Sequence, residues 1–140
     1  MRLTRFTDYS LRVLMQLAAE PEGFASIARI STAYAISQDH VKKVVQNLTA
    51  AGYVETVRGR NGGIRLARAP EDINVGALIR QTEEDFELVA CSSCVIAPAC
   101  ELTAALDRAL AAFMAVLNDV TLADLVVRRR KLASLLGAGS

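Results

Sequence analysis

Cys91, Cys94 and Cys100 fall within one ten-residue string, CSSCVIAPAC, and the chain of 140 residues has no other cysteine. Three thiols are odd in number for closed disulfides and too clustered for scattered core cysteines. Such a group holds iron, zinc or a redox switch. No histidine lies near them, since the single histidine is His40. The C-x-x-C pair lacks the strand–helix surroundings of a thioredoxin-like redox site. With no nucleophile motif and no nucleotide loop, an enzyme finds little support.

The charge pattern suggests what such a centre would govern. Residues 1–69 carry ten Lys/Arg against five Asp/Glu, residues 70–127 carry two against ten, and residues 128–140 carry four against none. A basic first half points to a polyanion, most simply nucleic acid. Half the residues are apolar, which is enough for a core in one domain. No apolar run approaches a membrane span, and the first residues lack a signal peptide's apolar region. The expected location is the cytoplasm, where thiols stay reduced.

The elements that must position these groups are mainly helical. Thr7 to Glu20 reads as a first helix capped by Thr7, with Leu11, Leu14, Met15 and Ala18 inward. Ser26 to Tyr34 is a second helix and Ala35-Ile36 a tight turn. Ser37 to Ala51 is a third helix, with Ser37 as N-cap and Val41, Val44, Val45 and Leu48 buried. Gln38, Asp39, Lys42, Lys43, Gln46 and Asn47 stay outside. This pair reads as a helix-turn-helix. Gly52 ends the third helix. Two strands, Tyr53–Arg58 and Ile64–Ala67, flank Asn61-Gly62, whose tolerance of positive φ predicts a hairpin wing. Arg58, Arg60 and Arg65 suit phosphate or minor-groove contact.

A connector, Pro70–Ile73, leads to a fourth helix over Asn74–Glu83. Glu83, Glu84, Asp85 and Glu87 then form an acidic approach to the cysteines, read as solvated. The longest helix runs from about Leu102 to Asn118, with Leu102, Leu106, Leu110, Phe113 and Leu117 three or four apart. Its many alanines keep it slim, and a small winged domain cannot cover it, so it is expected to pair with its copy in a homodimer. Thr121-Leu-Ala-Asp124 looks like a capping box for a last helix reaching about Leu132. Arg128–Lys131 and the following residues are expected to fray as a basic tail. The division is therefore 1–69 winged helix-turn-helix, 70–101 connecting helix and cysteine loop, 102–140 dimerisation helix and tail.

The strings MRLTRFTDYSLRVLMQLA, VRGRNGGIRL, CVIAPAC and TLADLV resemble the iron–sulfur winged-helix regulators, in particular their nitric-oxide-sensing NsrR type; relatives include the RirA and IscR types. The resemblance covers nearly the whole chain. It implies a winged helix-turn-helix dimer, mainly α with a small β-hairpin, that represses transcription from a double-stranded DNA operator. It also implies an iron–sulfur cluster on Cys91, Cys94 and Cys100, [4Fe–4S] in preference to [2Fe–2S], with Asp8 of the partner subunit as fourth ligand and nitric oxide as signal. Read without the resemblance, Asp8 is a first-turn charge. Two features depart from the family pattern. IscR-type members carry a histidine where this chain has Thr103, and members normally have a longer loop between the first two cysteines.

Two alternatives stand beside this reading: an iron- or redox-responsive repressor of the same architecture, and a zinc-stabilised DNA-binding module with no sensing role. For DNA contact the expected residues are Ser37, Gln38, Lys42 and Lys43 in the third helix and Arg58, Arg60 and Asn61 in the wing.

Overall fold

Thr4, rather than Thr7, caps the first helix, α1 (Arg5–Ala19). Its side chain accepts from the Thr7 amide, and Thr7 itself lies fully buried one turn in. The reason is tertiary: the Thr7 hydroxyl meets that of Thr82 at 2.8 Å, so it faces another helix instead of its own first turn. This computed structural model describes residues 1–60 and 62–137.

The helix-turn-helix forms as its sequence requires. Ser26 caps α2 (Ile27–Tyr34) and Ser37 caps α3 (Gln38–Ala50), each side-chain oxygen accepting an amide three residues on. Between them Ala35 adopts φ 54°, a left-handed conformation uncommon for a residue with a Cβ. Its neighbour Ile36 explains it, since the turn drives that side chain into the core. Val41, Val44, Val45 and Leu48 form the buried stripe of α3. They pack with Leu14, Leu17 and Ile30 in one apolar cluster. Gly52 (φ 82°) closes α3: its amide donates to the Thr49 carbonyl and that of Tyr53 to the Leu48 carbonyl.

The wing has three strands, not two. Beyond β2 (Val54–Val57) and β3 (Gly63–Leu66), a two-residue strand β1 (Phe24–Ala25) adds to the free edge of β3, giving the order β1-β3-β2, all antiparallel. β1 escapes sequence reading because two residues show no alternation. At the hairpin tip the positive φ falls on Gly59, while Gly62 is not left-handed; Asn61 lies outside the described residues. Gly63 is required for a different reason: a Cβ there would run into the Ala25 backbone of β1.

The second half packs on the first. A 3-10 turn (Pro70–Asp72) leads to α4 (Val75–Thr82), capped by Asn74. The long helix α5 (Leu102–Asn118) has the predicted bounds. One end of its apolar stripe is used inside the chain, where Leu110, Phe113, Met114 and Leu117 pack with Val75 and Ile79 of α4. The capping box at Thr121 is present, but the last helix is broken in two, α6 (Leu122–Leu125) and α7 (Arg129–Leu135). The basic run therefore does not fray, and the end of the expected tail, residues 138–140, lies outside the described residues. The run opens α7, and Arg129 donates to the Glu20 carbonyl at the end of α1. Leu122 and Val126 join the same core as the helix-turn-helix.

Glu83 is not merely solvated. Its carboxylate accepts from the Thr4 amide (3.2 Å) and from the hydroxyls of Thr4 and Thr7. Burial by itself would raise its pKa, but these hydrogen bonds outweigh it and hold the group below its ordinary range.

The crowding at Gly63 has a measurable consequence. Gly63→Ala is expected to push β1 from β3 and cost about 1–3 kcal/mol of stability, the usual effect of overpacking a close backbone contact. Denaturant unfolding of the two proteins checks this.

Candidate functional site

The candidate residues fall in two groups, one on the basic face and one at the head of α5. On the basic face, Ser37, Gln38, Lys42 and Lys43 are all exposed along α3. Arg58 and Arg60 are exposed at the hairpin. Arg65 is less free, because it pairs with Glu55 across the strands at 2.7 Å. Asn47, expected outside, is half-buried and accepts from Gln81 of α4 at 3.0 Å. His40 is exposed, its ring 6.1 Å from that of Tyr9 on α1. Sequence reasoning missed Arg68. Its guanidinium lies 4.4 Å over the Tyr53 ring and donates to the carbonyls of Ala51 and Gly52, where α3 ends. A cation at a helix C-terminus is favoured by the helix dipole, but its sequence position, beyond the second strand, gives no sign of that role.

Asp8 is half-buried in the first turn of α1, and both its oxygens are held by Arg12, at 2.8 and 3.2 Å. Arg12 in turn lies 5.7 Å from the Tyr34 ring centroid, and the Tyr34 hydroxyl donates to the Arg12 carbonyl at 3.0 Å. The Asp8 hydrogen bond holds the Arg12 guanidinium above its ordinary pKa. Burial raises the Tyr34 phenol, against the lowering effect of Arg12.

The cysteines share one loop of turns. The Cys94 amide donates to the Cys91 carbonyl and the Ala97 amide to the Cys94 carbonyl, before a 3-10 turn over Ala97–Ala99 delivers Cys100 to the start of α5. All three thiols are free; Cys94 is exposed and the other two are half-buried. Two sulfurs meet the first turn of α5: Cys100 accepts from the Leu102 amide at 3.4 Å, and Cys91 lies 3.2 Å from the Thr103 hydroxyl. Cys91 also borders a cleft of ≈ 310 Å³ lined by Phe86, Leu88, Val89, Leu106 and Leu110. Among the described residues, no three His, Cys, Asp or Glu side chains of one chain converge to hold a metal ion. The donor set nevertheless fits a sulfur-ligated centre: three free thiols on one loop, with a helix-terminal amide donating to the sulfur of Cys100.

A winged helix-turn-helix beside a three-cysteine loop has clear relatives. The family model described as "Rrf2: Iron-dependent Transcriptional regulator" matches residues 3–128. The chain belongs to the Rrf2 family of transcriptional regulators. It is 50% identical to the HTH-type transcriptional regulator NsrR of Bacillus subtilis (strain 168), covering 97% of both chains. It is 49% identical to that of Geobacillus kaustophilus (strain HTA426), again over 97% of each. Among solved structures it is similar to T. potens IscR, with TM-score 0.76 and 26% identity over 94% of this chain and 90% of that one. It is also similar to the oxidized form of Staphylococcus aureus CymR, with TM-score 0.75 and 26% identity over 91% and 97%. These Rrf2 relatives are regulators of transcription, and this chain is one too. Among the described residues no helix is long and apolar enough to cross a membrane.

The exposure of the thiols ranks their reactivity. Brief alkylation of the metal-free protein with iodoacetamide is expected to label Cys94 before Cys91 and Cys100, as read by peptide mass spectrometry.

Proposed function

We propose that this chain is a dimeric repressor whose operator affinity is set by an iron–sulfur cluster that reacts with nitric oxide. The observation that carries the reading is half identity, over nearly the full length, to a regulator named NsrR, in a chain whose only cysteines form one loop. Cys91, Cys94 and Cys100 would hold the cluster, [4Fe–4S] in preference to [2Fe–2S], and Asp8 of the partner subunit would complete its ligands. When bound, such a group supplies irons to which nitric oxide can attach. Within one chain Arg12 engages the Asp8 carboxylate, so an Asp8 that held a metal across the dimer would have to give up this guanidinium. An oxygen ligand is harder than a thiolate and a weaker partner for iron in such a cluster.

The dimer is supported by α5. Of its 17 residues only Met114 is buried, and Leu102 and Val116 stand 52% and 66% exposed. A second copy of α5 would cover them and present two recognition helices to two half-sites. In that dimer Gln38 suits adenine, and Lys42 and Lys43 suit guanine or phosphate in the major groove, with Ser37 beside them. Arg58, Arg60 and Asn61 serve as wing contacts. A second reading, response to iron supply, is favoured by the family's description as iron-dependent. Titrating the loaded protein with nitric oxide and, separately, with an iron chelator, each against operator binding, distinguishes the two.

Lys42→Ala or Lys43→Ala is expected to weaken operator binding by about 1–3 kcal/mol while leaving cluster absorbance intact. Affinity should also fall steeply with salt, since phosphates are neutralised by these bases. Binding that ignores salt would sink the interface assignment. Replacing any one of the three cysteines by Ser is expected to abolish the absorbance of the anaerobically reconstituted protein and leave its circular dichroism unchanged. Retained colour in any of these variants would remove that cysteine from the ligand set.

A further inference from the structure

The last turn of α4 touches both helices that a sensor must move, and it is also the root of the cysteine segment. Three consecutive residues do this. Gln81 donates to Asn47 of α3, the recognition helix. Thr82 meets Thr7 of α1 inside the protein. Glu83 accepts three donors from the first turn of α1, one amide and two hydroxyls, on a single carboxylate. The Thr4 amide is one of the unsatisfied donors of a helix start, where negative charge is favoured. From Glu83 the chain reaches Cys91 without an intervening helix or strand. On that short path Phe86 is pinned against the cluster shared by α4 and α5. Glu83 therefore fixes where α1 begins relative to where the cysteine segment departs.

We propose that Glu83 is a positioning residue of the sensor: its carboxylate ties the first turn of α1 to the root of the cysteine segment, so that a change at the cysteines is felt by the DNA-reading helices of the same subunit. The proposal rests on the cluster-dependent reading above. The chemistry demands a carboxylate. A glutamine has one acceptor oxygen and turns an NH2 group toward donors that need an acceptor. It would leave the helices in place through their apolar contacts but loosen this joint.

The test uses the full-length protein as wild type, Glu83→Gln and Thr7→Val, the last removing a hydroxyl from the opposite side of the joint. Each is reconstituted anaerobically, then assayed loaded and chelator-stripped against a DNA duplex that the loaded wild type selects from a randomised pool. Circular dichroism and cluster absorbance are recorded alongside. The wild type should show at least about a fivefold difference in affinity between the two states. Both variants should keep the fold and the absorbance while that ratio collapses toward one. A folded, loaded variant that keeps the wild-type ratio overturns the proposal and leaves the sensor reading intact. A wild-type ratio of one defeats both, and this is visible without any variant. Loss of fold in both variants assigns the joint to stability alone and equally overturns the proposal.

Discussion

The first turn of α1 has amides for which its own helix offers no carbonyl, and two side chains supply the missing acceptors. Thr4 serves one from within, and Glu83 brings a charge to the same place from the far side of the wing. Together with the Thr7–Thr82 contact and the apolar packing around it, that anchorage sets how α4 lies on α1. Since α1 also packs against α3, α6 and α7, most of the molecule takes its bearings from it. The helix-turn-helix is thus not a free module to which a sensor has been attached. Its apolar core includes Ile73, Leu78, Leu122 and Val126, residues that come after the wing in the chain.

A second polar arrangement holds the other end of α1. Glu20, only 5% exposed, takes hydrogen bonds from Gln16 and Arg29 on its carboxylate, and its carbonyl takes one from Arg129. The side-chain oxygen of Gln16 lies buried with no hydrogen-bond partner among the described residues. α1 is therefore fixed by polar groups at both ends and by apolar contacts between them.

Much of this was legible in the sequence, because much of it is local. The cap at Ser37, the capping box at Thr121, the stripe of α3 and the bounds of α5 all follow from spacing within one element. The three cysteines announce themselves by number and proximity. Features set by distant partners stayed hidden. Thr7 has the right residue type for a cap, yet its hydroxyl is claimed by Thr82 and Glu83, more than seventy positions away. Glu83 looks like one acid in a solvated run until α1 is laid against it. β1 is too short to show a period and exists only because β3 offers an open edge. The break between α6 and α7 lies at Val126–Arg128, where neither glycine nor proline marks it.

The ion pair of Glu20 and Arg29 has a consequence for descent. The acid is shielded from water while the base is partly wet, so losing the base strands a charge in the interior, whereas losing the acid leaves a cation that solvent can still accommodate. The two positions therefore do not drift with equal freedom. A lineage that abandons the pair passes more readily through change at 20 than at 29, which gives this corner of the fold a preferred order of substitution.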